Sequence, residues 1–185
     1  MLFRSKEAIS VLKGETKGDL LELCLTLGSC MLTEAGCAES AESARKRLLQ
    51  TIESGDALKK LAELVAAQDG EARDVFDTSR LPLAPVQLDV CSESAGYVQH
   101  IEAEQVGLIS MHLGGGRATK EDVIDLSVGL VLDKKVGDRV EKGERLAVIH
   151  APNAEKAEEA AALLRACYTL SDIPVERPDF IKAIV

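Results

Sequence analysis

The sequence has no tryptophan, and aromatic residues of all kinds make up only 3% of it. Single-stranded nucleic acid is commonly held by bases stacked on aromatic rings, so that class of surface is scarce here. Positive charge is also in deficit: 22 lysines and arginines stand against 31 aspartates and glutamates, a net charge of −9. Such a chain repels a phosphate backbone unless its charge is locally segregated, which argues against a nucleic-acid partner. No run is long enough to cross a bilayer and the N-terminus has no signal-peptide core. The expectation is therefore a cytoplasmic protein with no membrane partner. The five cysteines, at 24, 30, 37, 91 and 167, include no CxxC pair. They read as buried or idle thiols, because a metal site needs tighter spacing and histidine nearby.

What is present is an apolar fraction of 46% and a charged fraction of 29% over 185 residues, enough for one medium domain or two small ones. The densest pattern lies in Ser127–Ile149, SVGLVLDKKVGDRVEKGERLAVI. Apolar residues alternate through Leu130, Leu132, Val136, Val140, Leu146 and Val148, which is strand periodicity. Gly137-Asp138 and Lys142-Gly143-Glu144 cut it into short strands joined by tight turns. Its opening, Ser127-Val-Gly-Leu-Val131, has a faint copy in Ser94-Ala-Gly-Tyr-Val98. Two similar half-sheets facing each other would bury their apolar sides without outside help, so a compact β module is expected.

Helices are predicted before it. One runs from Lys6 to Leu12 and ends at Gly14. A second starts at Asp19, read as an N-cap with Glu22 closing a capping box, and stops near Gly36. Ser40 caps a third, with Ala44, Leu48, Leu49 and Ile52 on one face, ended by Gly55. Asp56 caps a fourth, with Leu58, Leu61, Leu64 and Val65 apolar, closed by Asp69-Gly70. These four resemble a bundle or part of one. The prolines of Leu81–Pro85 favour an extended connector, so the domain boundary falls there, with residues 1–80 helical and 86–185 a second unit. From Val86 to Ile101 the pattern is strand, turn, strand. Gly114–Arg117 is a flexible loop, Thr119 opens a short helix with Asp122 as capping partner, and Asn153 caps a last helix. Pro174 and Pro178 bracket an extended tail with apolar Phe180, Ile181, Ile184 and Val185.

Four features invite chemistry. Consecutive amides at Gly114–Gly116, with Arg117 and Lys120 beside them, could cradle a phosphate. Neither GxxxxGK[ST] nor GxGxxG is present, however, and a lone GGG more simply permits close backbone packing. His100, His112 and His150 have no Ser or Cys motif around them and read as surface or satisfied core histidines. Lys134-Lys135 sits where a carrier lysine might be modified, but a solvated strand end is the simpler account. The acidic run Glu155–Glu159 reads as a solvated helix face.

The run Leu113-Gly-Gly-Gly-Arg-Ala-Thr-Lys-Glu-Asp-Val-Ile-Asp125, then Val128-Gly-Leu-Val131 and Lys134-Lys-Val-Gly-Asp-Arg-Val-Glu-Lys-Gly-Glu144, resembles the C-terminal domain of pyrimidine-nucleoside phosphorylases, thymidine phosphorylase included. Leu12-Lys-Gly-Glu15 and Asp19–Ser29 are similar to the stretch preceding it in that family. Departures are Gly115, where the family often has Ala, Asp133, where it often has His, and residues 1–5, which do not follow the family pattern. The resemblance implies an α+β chain: a helical segment followed by an α/β-hammerhead domain built on a barrel-sandwich, related in shape to lipoyl and biotinyl carriers. It implies a pentosyltransferase of nucleoside salvage, in which phosphate attacks the anomeric carbon of a pyrimidine nucleoside. The family's phosphate-gripping Lys-His-Ser segment and its base-holding Arg, Ser and Lys have no counterpart in this sequence. Phosphate and nucleoside are accordingly expected as partners of the complete enzyme only, and no catalytic residue is assigned here.

The resemblance also makes Glu15 a ligand of a structural potassium ion, in a site expected to be incomplete and empty in this chain. The alternative of a different class is a non-catalytic lipoyl- or biotinyl-like carrier or binding module, in which the modified lysine occupies a hairpin turn. Finally, the segment Asp19–Ala35 is apolar all round past its first turn, a pattern that seeks burial on every side. Self-association through that surface is the expectation, with residues 86–185 folding on their own.

Overall fold

The computed structural model describes residues 2–117 and 119–184. Met1, Ala118 and Val185, which fall in the N-terminal stretch, the glycine-arginine loop and the apolar tail, lie outside the described residues. The chain divides into two compact units, Arg4–Leu81 with residues 180–184, and Pro82–Asp179 with residues 2–3. The first is helical and the second mixes helix with antiparallel sheet, so the fold is α+β.

The helical unit holds α1 (Leu2–Leu12), α2 (Asp19–Glu34), α3 (Ala41–Glu53), α4 (Asp56–Ala67) and the short α5 (Arg73–Phe76). Helix α1 reaches back to Leu2, ahead of the predicted start at Lys6. Ser40 caps α3 as expected: its hydroxyl accepts from the Ser43 amide at 3.2 Å, and the Ser43 hydroxyl accepts from the Ser40 amide at 3.1 Å. Asp19 and Asp56 do not cap. Gly18 and Gly55 hold the N-cap positions, and each aspartate is the first residue of its helix, where a carboxylate opposes the helix dipole. Glu22, freed from the predicted capping box, instead forms a two-pronged pair with Arg45 of α3, at 2.9 and 2.5 Å. That guanidinium holds the Glu22 carboxyl below its ordinary range.

Ile9, Ala62 and Val75 form the buried centre of this unit, with Leu58, Leu61 and Val65 against it. Leu64, which the spacing places on the same face, points outward, 53% exposed. Its place is taken by Ala62, since the stripe 58, 61, 62, 65 is the one that repeats at helical spacing. Helix α2 is not enclosed: only Leu25 and Ser29 are buried, while Leu27 is 55% and Met31 72% exposed.

The second unit holds β1 (Val86–Cys91), β2 (Gly96–Ile101), α6 (Ala103–Ser110), β3 (Gly129–Leu132), β4 (Arg139–Val140), β5 (Arg145–Ala151), α7 (Ala154–Ala166) and β6 (Tyr168–Ser171). They build two three-stranded antiparallel sheets, ordered β1-β5-β3 and β4-β2-β6. The half-repeat read from the sequence therefore seeds one strand in each sheet, Gly129 opening β3 and Gly96 opening β2. The sheets are not two consecutive halves, however; their strands interleave along the chain.

Strand β5 is the centre of its sheet, and Leu146, Ala147, Ile149, His150 and Ala151 are all buried. Alternation marked Leu146 and Val148 as inward; a central strand covered on both faces is buried at odd and even positions alike. Helix α7, capped by Asn153 through the Lys156 amide at 2.9 Å, lies over β1 and β5 with Ala157, Ala160, Ala161 and Leu164 buried. Three alanines on that face let the helix approach the sheet closely, with Leu164 and Ile149 fully enclosed in the core between them. Helix α6 and strand β6 were not foreseen, and no helix forms at Thr119. There the Asp122 carboxylate accepts from the Thr119 amide at 2.8 Å and its hydroxyl at 2.9 Å, closing a turn that stops.

Candidate functional site

The glycine-arginine loop is built from the end of α6. That helix runs into a wider π-helical turn, Met111–Gly115, which breaks at Gly114 with φ +107°. A Cβ on Gly115 would stand 3.0 Å from the Ser110 carbonyl oxygen and 3.1 Å from its hydroxyl; on Gly116 it would meet Met111 at 3.3 Å. The chain folds back over this turn, with the Asp125 amide donating to the Gly114 carbonyl at 2.9 Å. Asp125 then accepts from the Ser127 hydroxyl at 2.6 Å and amide at 2.8 Å, and these bonds lower its pKa. The glycines thus admit the chain's own atoms, as the close-packing account required, and Arg117 and Lys120 stay exposed.

The three histidines lie apart in the fold. His100, on β2, faces Glu102 at 3.3 Å on the surface. His112 is exposed on the π-helical turn, and His150 is buried on β5. All five cysteines are free. Cys167 is buried at the end of α7, its thiol pushed up chiefly by burial and then by Glu102, the environment of an inert thiol. No group of three metal-binding side chains occurs among the described residues. The acids of 155–159 are exposed on α7, as a solvated face should be.

Lys134 is not an exposed strand end. Its side chain is only 19% exposed, and its ammonium donates to the Glu144 carboxylate at 2.5 Å and to the Arg139 carbonyl at 3.2 Å. Glu144 also accepts from the Glu141 amide at 2.8 Å; the lysine first, and then that amide, lower its pKa. The pair staples the β3–β4 connection to the Glu141–Glu144 turn. A lysine committed in this way is poorly placed to carry a swinging prosthetic group.

Above it, the Tyr168 hydroxyl donates to the Lys134 carbonyl at 3.2 Å, with the Leu146 carbonyl at 3.5 Å. Burial, and after it the Asp133 charge, push this phenol up to about 12 from 10. Between those values the folded state keeps a proton that the unfolded chain has lost, so stability falls as pH rises from 10 towards 12. Solvent reaching the half-buried ring screens the effect to about 1–2 kcal/mol. Melting temperatures taken through this range should fall faster for the wild type than for Tyr168→Phe. Parallel curves would show that the phenol does not drive the loss.

Glu15 follows α1. It is exposed, and its carboxylate accepts from the Ser10 hydroxyl at 3.4 Å; that hydroxyl lies 2.5 Å from the Thr16 hydroxyl. The Ser10 carbonyl is already taken by the Glu15 and Thr16 amides, at 3.0 and 3.4 Å. A hard cation wants a ring of oxygen donors. Among the described residues, Glu15 brings one exposed carboxylate to an engaged hydroxyl pair.

Comparison with known proteins places these elements. Residues 97–171 match the family model described as pyrimidine nucleoside phosphorylase C-terminal domain. The pyrimidine-nucleoside phosphorylase of Bacillus subtilis is 48% identical over 157 residues, which cover 85% of this chain and 36% of that protein. The Geobacillus stearothermophilus protein of the same name is 46% identical over 95% of this chain and 40% of its own length. That of Staphylococcus aureus is 42% identical over 97% and 41%. The chain spans about two fifths of the length of the curated relatives it matches.

Proposed function

Because the chain belongs to the pyrimidine-nucleoside phosphorylase family, carrying that family's C-terminal domain, we propose that it serves the phosphorolysis of pyrimidine nucleosides as a scaffold without an active site of its own. In that reaction a phosphate oxygen bonds to the anomeric carbon while the carbon–nitrogen bond to the base breaks. The base leaves with the bonding electrons and gains a proton; the pentose keeps the phosphate. The catalyst must hold phosphate and sugar in line and stabilise the departing base. The observation that carries the reading is the share of the match: 85–97% of this chain aligns, yet only 36–41% of each relative.

The two three-stranded sheets with α7 between β5 and β6 support an α/β-hammerhead on a barrel-sandwich, with Leu81–Pro85 as the linker from the helical segment. The same architecture suits a lipoyl-like carrier, but the engaged Lys134 speaks against that alternative. Glu15 alone gives potassium no site, so potassium should raise the melting temperature no more than sodium does.

The test is direct. Purified chain with uridine or thymidine and phosphate should release no uracil or thymine above a no-protein control. Adding the N-terminal remainder of the Bacillus subtilis relative should produce release. Base release by the chain alone, proportional to its concentration, would overturn the proposal.

A further inference from the structure

A cleft of about 310 Å³ opens in the second unit where the end of β1, the start of β5, strand β6 and the last turn of α7 converge. Leu146, Tyr168 and Leu170 give it an apolar wall, and Glu93, Ser94 and Arg165 line it with polar groups. Two further hydroxyls at the cleft are already committed: Ser92 donates to the Ser94 carbonyl at 2.7 Å, and Tyr168 to Lys134 and Leu146. The side chains of Glu93, Ser94 and Arg165 are not; none makes a hydrogen bond or ion pair with another described residue. Arg165 is half-buried, and no described carboxylate pairs with it in a chain where acids outnumber bases 31 to 22. A guanidinium partly withdrawn from water gains most from a planar oxyanion that meets its fork of donors. The volume stands at the lower edge of small-molecule sites, which are typically concave, preformed and equipped with a few convergent polar groups.

We propose that this cleft binds a small hydroxylated oxyanion, a sugar phosphate or a hydroxy acid, with Arg165 taking the anionic group and Glu93 and Ser94 the hydroxyls. Glu93 sets the polarity of the ligand: its carboxylate accepts from a hydroxyl and repels a second anion, so the charge sits at one end. The apolar wall takes the carbon skeleton. This site is independent of the phosphorolysis reading, since every residue in it belongs to the chain itself.

Calorimetric titration of the full chain with ribose 5-phosphate, malate, ribose and inorganic phosphate tests it. At least one of the first two should bind with a Kd below about 1 mM, and which one does decides between phosphate and carboxylate. Ribose, which lacks the anion, should give no saturable heat. Arg165→Gln should weaken binding about tenfold or more, as expected for a lost charge-assisted pair. Glu93→Gln should weaken the hydroxylated ligand while sparing inorganic phosphate. Arg165→Lys keeps the charge without the fork and should fall between wild type and Arg165→Gln, and melting curves of all variants control for folding. No saturable binding of either hydroxylated anion up to about 10 mM, or full affinity in a folded Arg165→Gln, overturns the proposal.

Discussion

At concentrations on the order of 10–100 μM the isolated chain should elute, with light scattering behind a sizing column, as a dimer or larger species that dissociates on dilution. The surface responsible is α2. Cys24, Leu27 and Met31 are exposed at spacings of three and four residues, one stripe of the helix, with Leu27 at 55% and Met31 at 72% exposure. Beside it an apolar cavity of about 280 Å³ runs between α1, α2 and α3, lined by residues such as Leu12, Leu20, Leu21 and Ile52. Exposed apolar patches beyond a few hundred Å² are uncommon on monomers. Covering such a patch at roughly 25 cal/mol per Å² on both partners yields a gain comparable to the cost of association, which is the regime of weak, concentration-dependent dimers. In a pure preparation the available apolar partner is a second copy of the same stripe. Leu27→Lys combined with Met31→Glu removes the patch without touching buried Leu25, so that variant should fold and remain monomeric. Reductant in both runs excludes a disulfide through Cys24. A wild type that stays monomeric throughout and binds no hydrophobic dye would sink the idea.

That stripe marks the limit of what sequence alone conveys. The composition of Asp19–Ala35 already said that the segment wants burial on all sides; it could not say which sides this chain would cover. The elements legible in sequence were those with local signatures: Ser40 and Asn153 as caps, Gly137 and Gly143 as turns, the strands from Gly129 to Ala151. Asp19 and Asp56 misled because an aspartate serves equally well one residue later, in the first turn, when a glycine precedes it to make the cap. Helix α6 was missed because Ala103–Ser110 carries no capping residue at its start, and β6 because four residues after a helix carry almost no periodicity. The Glu22–Arg45 and Lys134–Glu144 pairs and the cleft around Arg165 depend on residues brought together from 10 to more than 70 positions apart. Nothing local announces such pairings. The glycine-arginine loop was legible in the opposite sense: its three glycines suggested a cradle or a close approach, and the filled space at Gly115 decides for the approach.

Two glycine turns that look alike in sequence should respond very differently to the same substitution. Gly137 has φ +92° and Gly143 φ +84°, so an alanine at either is strained by its backbone alone, at a cost of about 1–2 kcal/mol. At Gly143 the account ends there, because a Cβ would meet nothing within 4 Å. At Gly137 the Cβ would stand 3.0 Å from both Cα and Cβ of Arg177 and 3.1 Å from its amide nitrogen. Those are backbone and near-backbone atoms, so no side-chain rotation clears them and the segment around Arg177 must move as a whole. The turn cannot yield instead, since its two sides are tied to β2: the Gly137 amide donates to the Val98 carbonyl and the Val98 amide to the Asp138 carbonyl, each at 2.9 Å. Val98 is fully buried with Val140 and Leu146, so displacing the turn would open that cluster. Gly137→Ala should therefore cost about 3–4 kcal/mol, the conformational strain plus a steric cost of the kind seen on overpacking. Urea unfolding of both variants measures the difference, and equal losses would mean that the chain around Arg177 gives way freely. The size of the gap thus reports how firmly the residues after β6 are held against the Gly137 turn.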